Sequence, residues 1–330
     1  MPYVAGHFLR GGYMSKPFKT YDEQIEILSS RGLNIDNPDN AKIILSQLNY
    51  YNLINGYKTP FLDLKVSTED EDKYKDGSSF QEIFYLHEMD RELKEVVFFS
   101  LLRFEKLLKT SCAYHFSDIH RDGLYPYLQI ENYSNSKHQL NYVLKTIANL
   151  SNTISRENKN LNGKKPIKHY IKKHDSIPLW VLVNFLTLGN ISYFYNSLDE
   201  SLQNMIARDF GERYKESYKS KEKISKTELT EIIKICNFFR NVCAHDEVMY
   251  SFSLSKMGQT AVFEKFFDEK YTGKNLHDLI LVLKLVIPKE EYKYLVAALA
   301  NIKSKYRRKF KSISVDYFFR ISGFSDNSLK

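Results

Sequence analysis

The stretch Phe238-Phe239-Arg240-Asn241-Val242-Cys243-Ala244-His245 holds an arginine, a polar residue directly after it, and a histidine five positions on. Those residue types suit one reaction. A guanidinium is a fixed cation whose planar fork matches a phosphate. An imidazole takes up and releases protons near neutral pH. Together they can cleave an RNA phosphodiester with no metal and no cofactor. A base withdraws the 2′-hydroxyl proton and the oxygen attacks phosphorus. An acid then protonates the departing 5′-oxygen while a cation offsets charge on the phosphorane. DNA lacks that hydroxyl and is expected to be a poor substrate. The roles that follow are Arg240 for the phosphorane, His245 for proton transfer and Asn241 for positioning.

One histidine does not easily act as both base and acid on opposite sides of a phosphate. Two copies can, if a two-fold dimer brings Arg240 and His245 of each chain to one cleft; a homodimer is therefore expected. On an ideal helix five residues set the two side chains about 140° apart. Either the helix distorts near Cys243 or the arginine reaches round. The plainer alternative makes Arg240 an ion-pair partner of Asp246 or Glu247, with His245 a helix C-terminal cap.

The elements that must position these residues read as helices. Thr20 and Glu23 form a capping box ahead of Ile25, Ile27 and Leu28, in a helix that Gly32 ends. After a turn at Asn37-Pro38-Asp39, a second helix carries Ile44, Leu45, Leu48, Tyr51 and Leu53 as far as Gly56. Residues 67–79 are polar, a loop. From Phe80 to Phe116 apolar residues recur every three or four positions, predicting one long helix. Another helix is expected over 138–154. Lysines 164, 165, 168, 172 and 173 mark a basic connection, and Pro178 opens an apolar helix running through Trp180, Val183 and Leu186 towards Gly189. The segment 214–226 reads as a lysine-rich loop. Ser225 and Glu228 cap the helix that carries the Arg240 motif. Helices over 275–287 and 288–309 close the pattern, with Pro288 at a first helical position. Strand signals are confined to Ser251–Leu254 and Ala261–Phe263, so the fold class is all-α.

Several of these stretches, in order, resemble the Abi-like family of bacterial abortive-infection proteins, the AbiD/AbiF group of the HEPN superfamily. Leu48-Asn49-Tyr50-Tyr51-Asn52-Leu53-Ile54-Asn55-Gly56-Tyr57 with Pro60-Phe61 is similar to its N-terminal signature. Asp90-Arg91-Glu92-Leu93 and Arg103-Phe104-Glu105-Lys106-Leu107-Leu108-Lys109 resemble its first long helix, and Pro178-Leu179-Trp180-Val181 with Leu188-Gly189-Asn190 its middle segment. Arg240-Asn241 to Ala244-His245-Asp246 stands where the HEPN Arg-x4–6-His motif would. The resemblance, which reaches from about residue 20 to 255, implies a HEPN-like helical core. With the helical pattern, the expectation is a HEPN-like helical bundle with an N-terminal helical extension and C-terminal helices: a flexible segment over 1–19, a helical subdomain over 20–79, a core over 80–258 and an extension over 259–330. It also implies a metal-independent endoribonuclease of phage defence, with two motifs meeting across a dimer and a structured small RNA as a restraining partner. Two other readings stand beside it: a non-catalytic RNA-binding protein holding such a small RNA, and a toxin–antitoxin component acting through protein contacts.

Further basic residues are candidates for contact with RNA. Lys303, Lys305, Arg307, Arg308, Lys309 and Lys311, interleaved with Tyr306 and Phe310, can grip backbone while bases stack on the rings; the alternative is a solvated helix end. The lysines between 164 and 173, with His169 and His174, and those between 215 and 226 are weaker versions. Asp90, Arg91, Arg103 and Glu105 flank an apolar stripe and are read chiefly as ion-pair members, with Arg91 or Glu105 a minor candidate for orienting the histidine. Cys112 and His115 lie one helical turn apart without a second pair, so no metal site is expected.

Composition is compatible with all this. The 330 residues carry 48 basic and 40 acidic side chains, a net +8 that offers a nucleic acid no opposition. An aromatic content of 14% excludes disorder as the main state; most of the 24 tyrosines and 22 phenylalanines are expected in the core. No apolar run reaches membrane-spanning length, since the longest breaks at Lys284 and Pro288. Three cysteines suit a reducing cytosol better than a disulfide framework. Residues 1–9 show no charged leader before an apolar block, and Met14-Ser15-Lys16-Pro17 reads as a second start, so 1–13 are set aside and a cytoplasmic location is expected. Phosphate-binding glycine loops and Ser/His/Asp patterns are missing.

Overall fold

The computed structural model describes residues 17–68, 71–159, 165–174, 176–254, 260–267, 275–325 and 328–329. The expected second start at Met14, most of the 1–19 segment, Lys164 and the boundary at 258/259 lie outside them. Two compact units divide the chain, residues 1–85 and 86–330.

The first unit holds α1 (Tyr21–Ser30) and α2 (Pro38–Gln47). The Thr20–Glu23 capping box opens α1, as its sequence predicts. Gly32, at φ +89°, closes it with the Leu33 N–H donating back to the Leu28 carbonyl, a position a side chain would strain. Asn37-Pro38-Asp39 is not a separate turn. Asn37 accepts from the Asn40 N–H and Pro38 is the first helical residue. Nor does the helix reach Gly56: Leu48 is extended, and a π-helical turn at Tyr51–Asn55 follows. Leu28, Leu45, Leu53 and Phe61 form the buried centre.

The 40-residue helix α3 (Phe80–Ile119) begins in this unit and supplies the spine of the second. Of the expected stripe, Leu86, Met89, Leu93, Ser100, Phe104 and Ser111 are buried, while Val96 and Leu107 are half-buried and their neighbours Val97 and Leu108 take the core positions. Then come α4 (Leu140–Lys159), α5 (Lys165–Lys173), α6 (Leu179–Leu182), α7 (Leu188–Ser197), α8 (Glu200–Tyr218) and α9 (Lys226–Ala244). They are followed by α10 (Ala261–Phe266), α11 (Leu276–Val286), α12 (Lys289–Tyr306) and α13 (Val315–Ile321). Aromatic edges tie them together, Phe104 to Phe210 at 5.7 Å and Phe116 to Phe194 at 5.3 Å.

The fold is all-α; among the described residues there is no strand, only two isolated bridges in the first unit. Four further expectations need correction. Ala261–Phe263 belongs to α10, whose first N–H groups are accepted by the Glu231 carboxylate at 3.2 and 2.9 Å, a cap that favours helix over strand. The basic connection is itself α5. The helix from Pro178 breaks at Leu186, because Thr187 and Asn190 form a capping box that restarts the chain as α7. The expected loop at 214–226 is helical to Tyr218.

Candidate active site

α9 is the element that presents the motif, and its two ends are fixed by different means. At the start, Ser225 and Glu228 form the expected capping box, Ser225 N–H donating to Glu228 at 2.7 Å. Burial would raise the Glu228 carboxyl, but hydrogen bonds from Ser225 and the Lys265 ammonium outweigh it and hold it below the usual range. Glu228→Gln is therefore expected to cost about 1 kcal/mol at neutral pH. That contribution is complete above the carboxyl's ordinary value and disappears as pH falls through the lowered one. Thermal melts of variant and parent should accordingly converge in acid.

Along α9, Leu229, Ile232, Ile233, Cys236 and Phe239 are buried at the predicted spacing. This leaves Arg240 and Asn241 half-buried on the flank and His245 exposed. His245 is the C-cap, at φ −101° and ψ 11°, its N–H donating to the Asn241 carbonyl at 2.9 Å. The helix thus ends at Ala244, so the ideal 140° separation does not bind the imidazole.

What stops the helix there is a turn anchored from far away in sequence. Asp246 takes the left-handed conformation at φ 53°, and the Glu247 N–H reaches back to the Val242 carbonyl at 3.1 Å. The chain then returns against α3. Fully buried Asp90 accepts from the N–H groups of Met249 at 3.0 Å and Tyr250 at 2.6 Å. Lys94, also on α3 and nearly buried, donates to the Asp246 carboxylate and lies 3.8 Å from Asp90. These two brace the motif; the expected ion-pair role of Asp90 is met by Lys94, while the two backbone donors and the part of Lys94 are not signalled by the sequence. Position 90 follows Leu86 by four and precedes Leu93 by three, which puts a carboxylate on the buried stripe, and a buried carboxylate must find donors.

The same bracing removes the plainer account of Arg240. Asp246 is spent on Lys94, and among the described residues Arg240 has no ion pair; its Nε is buried without a partner. The other half of that account holds, since His245 does cap the helix. No side-chain hydrogen bond joins Arg240, Asn241 and His245 in the described residues. Arg91 pairs with Glu88 and Glu95, at 2.9 and 2.5 Å, and Glu105 with Lys109 at 2.6 Å. Neither orients the histidine. Arg103 pairs with Glu291 at 2.9 Å. Cys243 packs against Met249 at 3.9 Å between sulfurs, and burial pushes its thiol up to about 12. Burial also raises Cys112 and Cys236, so all three thiols are packing groups. No cluster of three or more metal-ligating side chains stands among the described residues.

A family model for Abi-like proteins matches residues 43–251. The chain belongs to the Abi-like family. Membership supports abortive infection and phage defence as its setting, and the match spans Asp90, Lys94 and the whole Arg240–His245 motif. No curated protein and no solved structure matches the chain. No helix among the described residues is long and apolar enough to cross a membrane.

The basic residues near the end of this Abi-like chain lie beyond the matched stretch, and the structure splits them. Lys303 pairs with Asp316 at 2.7 Å and Lys305 with Glu92 at 2.6 Å. Arg307, Arg308, Lys309 and Lys311 are exposed past the end of α12. The rings set between them do not offer stacking surfaces, contrary to expectation. Tyr306 is buried with its hydroxyl on Glu92 at 2.8 Å, and Phe310 packs on Phe318 at 4.8 Å. Tyr306 ties α12 to α3, and Phe310 packs on α13. Among the weaker basic stretches, Lys215 pairs with Glu212 and Lys226 with Glu200, while Lys172 and Lys173 are exposed on α5.

Proposed function

We propose that this Abi-like protein is a metal-independent endoribonuclease of abortive infection, with a HEPN-type core over residues 80–258 and a site completed by two-fold pairing of chains. The observation that carries the reading is the unspent guanidinium of Arg240 on the helix that ends in an exposed imidazole. A half-buried arginine whose Nε lacks a partner retains the capacity to bind a phosphate. Two of the acids beside it are committed elsewhere, Asp246 to Lys94 and Asp90 to two backbone N–H groups, which leaves exposed Glu247 as the carboxylate near His245 with no ion pair among the described residues. His245 shuttles the proton, Arg240 steadies the phosphorane, and Asn241, through its carbonyl, fixes the turn that carries the histidine.

Attack by the 2′-hydroxyl leaves a mark on the product. RNA incubated with the purified protein in excess EDTA should be cut and end in 2′,3′-cyclic phosphate with a 5′-hydroxyl on the downstream piece. Cleavage abolished by EDTA, or products ending in 3′-hydroxyl, would contradict the mechanism. RNA that co-purifies uncut at a defined length would favour the binding protein over the nuclease.

A further inference from the structure

A second feature of α3 lies eleven residues beyond Lys94, about 16 Å along the helix from the brace. A groove of about 640 Å³ opens there between α3 and α6, within the range of small-ligand sites. Glu105 is on its lining, 7% exposed; one carboxylate oxygen accepts from Lys109 at 2.6 Å and the other, Oε2, is buried without a partner. A buried carboxylate oxygen left open is a standing demand for an N–H donor. Two large rings also line the groove, Tyr114 from α3 at 66% exposure and Trp180 from α6 at 58%. Neither covers the core. Lys106 stands at the rim with no ion pair among the described residues.

From this juxtaposition we infer that the groove is a nucleobase site, taking one unstacked guanine of single-stranded RNA. The inference rests on RNA being the protein's ligand. Flat faces on Tyr114 and Trp180 suit a base extruded from its neighbours. Lys106 suits the adjoining phosphate. The carboxylate selects the base: guanine presents two adjacent donors, N1–H and the N2 amino group, on its Watson–Crick edge. Adenine and cytosine each offer one amino group beside an acceptor nitrogen, and uracil's N–H lies between two carbonyls that Glu105 repels. The site therefore gives sequence preference at a point remote from the α9 motif, where phosphate and proton chemistry carry none.

Trp180 is the sole tryptophan, so its emission reports on this groove. The probes are the pentanucleotides UUGUU and UUAUU with 2′-O-methyl riboses, which cannot be cleaved by 2′-hydroxyl attack, titrated into the full chain. UUGUU is expected to quench the emission and to bind about tenfold tighter than UUAUU, the worth of a charge-assisted hydrogen bond. Glu105→Gln should bring the two to parity, and Tyr114→Ala, on an exposed surface, should weaken both about tenfold by loss of stacking. Equal affinities on the parent, or no quenching, overturns the inference. If Glu105→Gln does not fold, Tyr114→Ala decides, and unchanged affinity counts against the site. Emission that shifts with protein concentration, without oligonucleotide, means that a second copy fills the groove, which also overturns it. A protein that prefers UUGUU yet never cuts RNA keeps the base site and loses the nuclease reading. One that cuts RNA without quenching does the opposite.

Discussion

His245→Ala is expected to lower RNA cleavage by roughly 10²- to 10⁴-fold, the usual contribution of a positioned proton-transfer group. Its stability should stay within about 0.5 kcal/mol of the parent, because the side chain is exposed and the cap hydrogen bond uses backbone atoms. That combination is diagnostic. A residue needed only for folding would lower the melting temperature and the rate together. Arg240→Ala should act on the rate to a similar degree, and Arg240→Lys should recover only part of it, since an ammonium keeps the charge and loses the fork. Initial rates on a labelled single-stranded RNA, with melting curves alongside, make the comparison. Expression of the parent should arrest growth and the His245→Ala chain should not. Equal degradation by parent and His245→Ala protein would falsify the assignment outright.

The largest effect on stability is expected at Asp90. Its carboxylate is wholly buried and accepts from Met249 and Tyr250. Asp90→Ala leaves two backbone donors without partners and Lys94 with one fewer neighbouring anion. The cost should be about 3–5 kcal/mol, the range for removing one member of a buried charge network. In a chain of this size that corresponds to a melting temperature lower by roughly 10 °C. Differential scanning calorimetry reads it directly. Cleavage should also fall more than the loss of folded protein explains, because the turn behind His245 is released. A variant as stable as the parent would show that the return of residues 246–250 is held by something other than this carboxylate.

The two helices that matter most to the proposal are written plainly in the sequence. α3 repeats its apolar residues without interruption for ten turns, and α9 announces its start with Ser225 and Glu228. Both follow from local rules, spacing and capping. α8 does not declare itself, because its buried face includes Gln203, Ala207 and Gly211, residues too polar or too small to register as a stripe. α13 is short, and most of its apolar character lies in two adjacent phenylalanines. The break before α7 was hidden for a different reason: Asn190 takes the place that glutamate or glutamine usually fills in a capping box. At the site itself, Arg240, Asn241 and His245 stand out by chemistry and spacing. Asp90 stands out only as an ion-pair member and Lys94 not at all, because the partners that make them a brace lie 152 to 160 positions away, beyond the reach of any local pattern. Tyr306 and Phe310 misled for the same reason. Alternating with cations, they look available in the sequence, and only Glu92 of α3 and Phe318 of α13 enclose them.

The distance between brace and motif has a bearing on synthesis. As the chain leaves the ribosome, the long helix bearing Asp90 and Lys94 emerges well before its counterparts at 246–250, and the final turn of α9 is not set until those have followed. An unfinished polypeptide thus has its arginine and histidine on an unfastened tip. The motif is therefore fastened only in a chain made at least as far as residue 250.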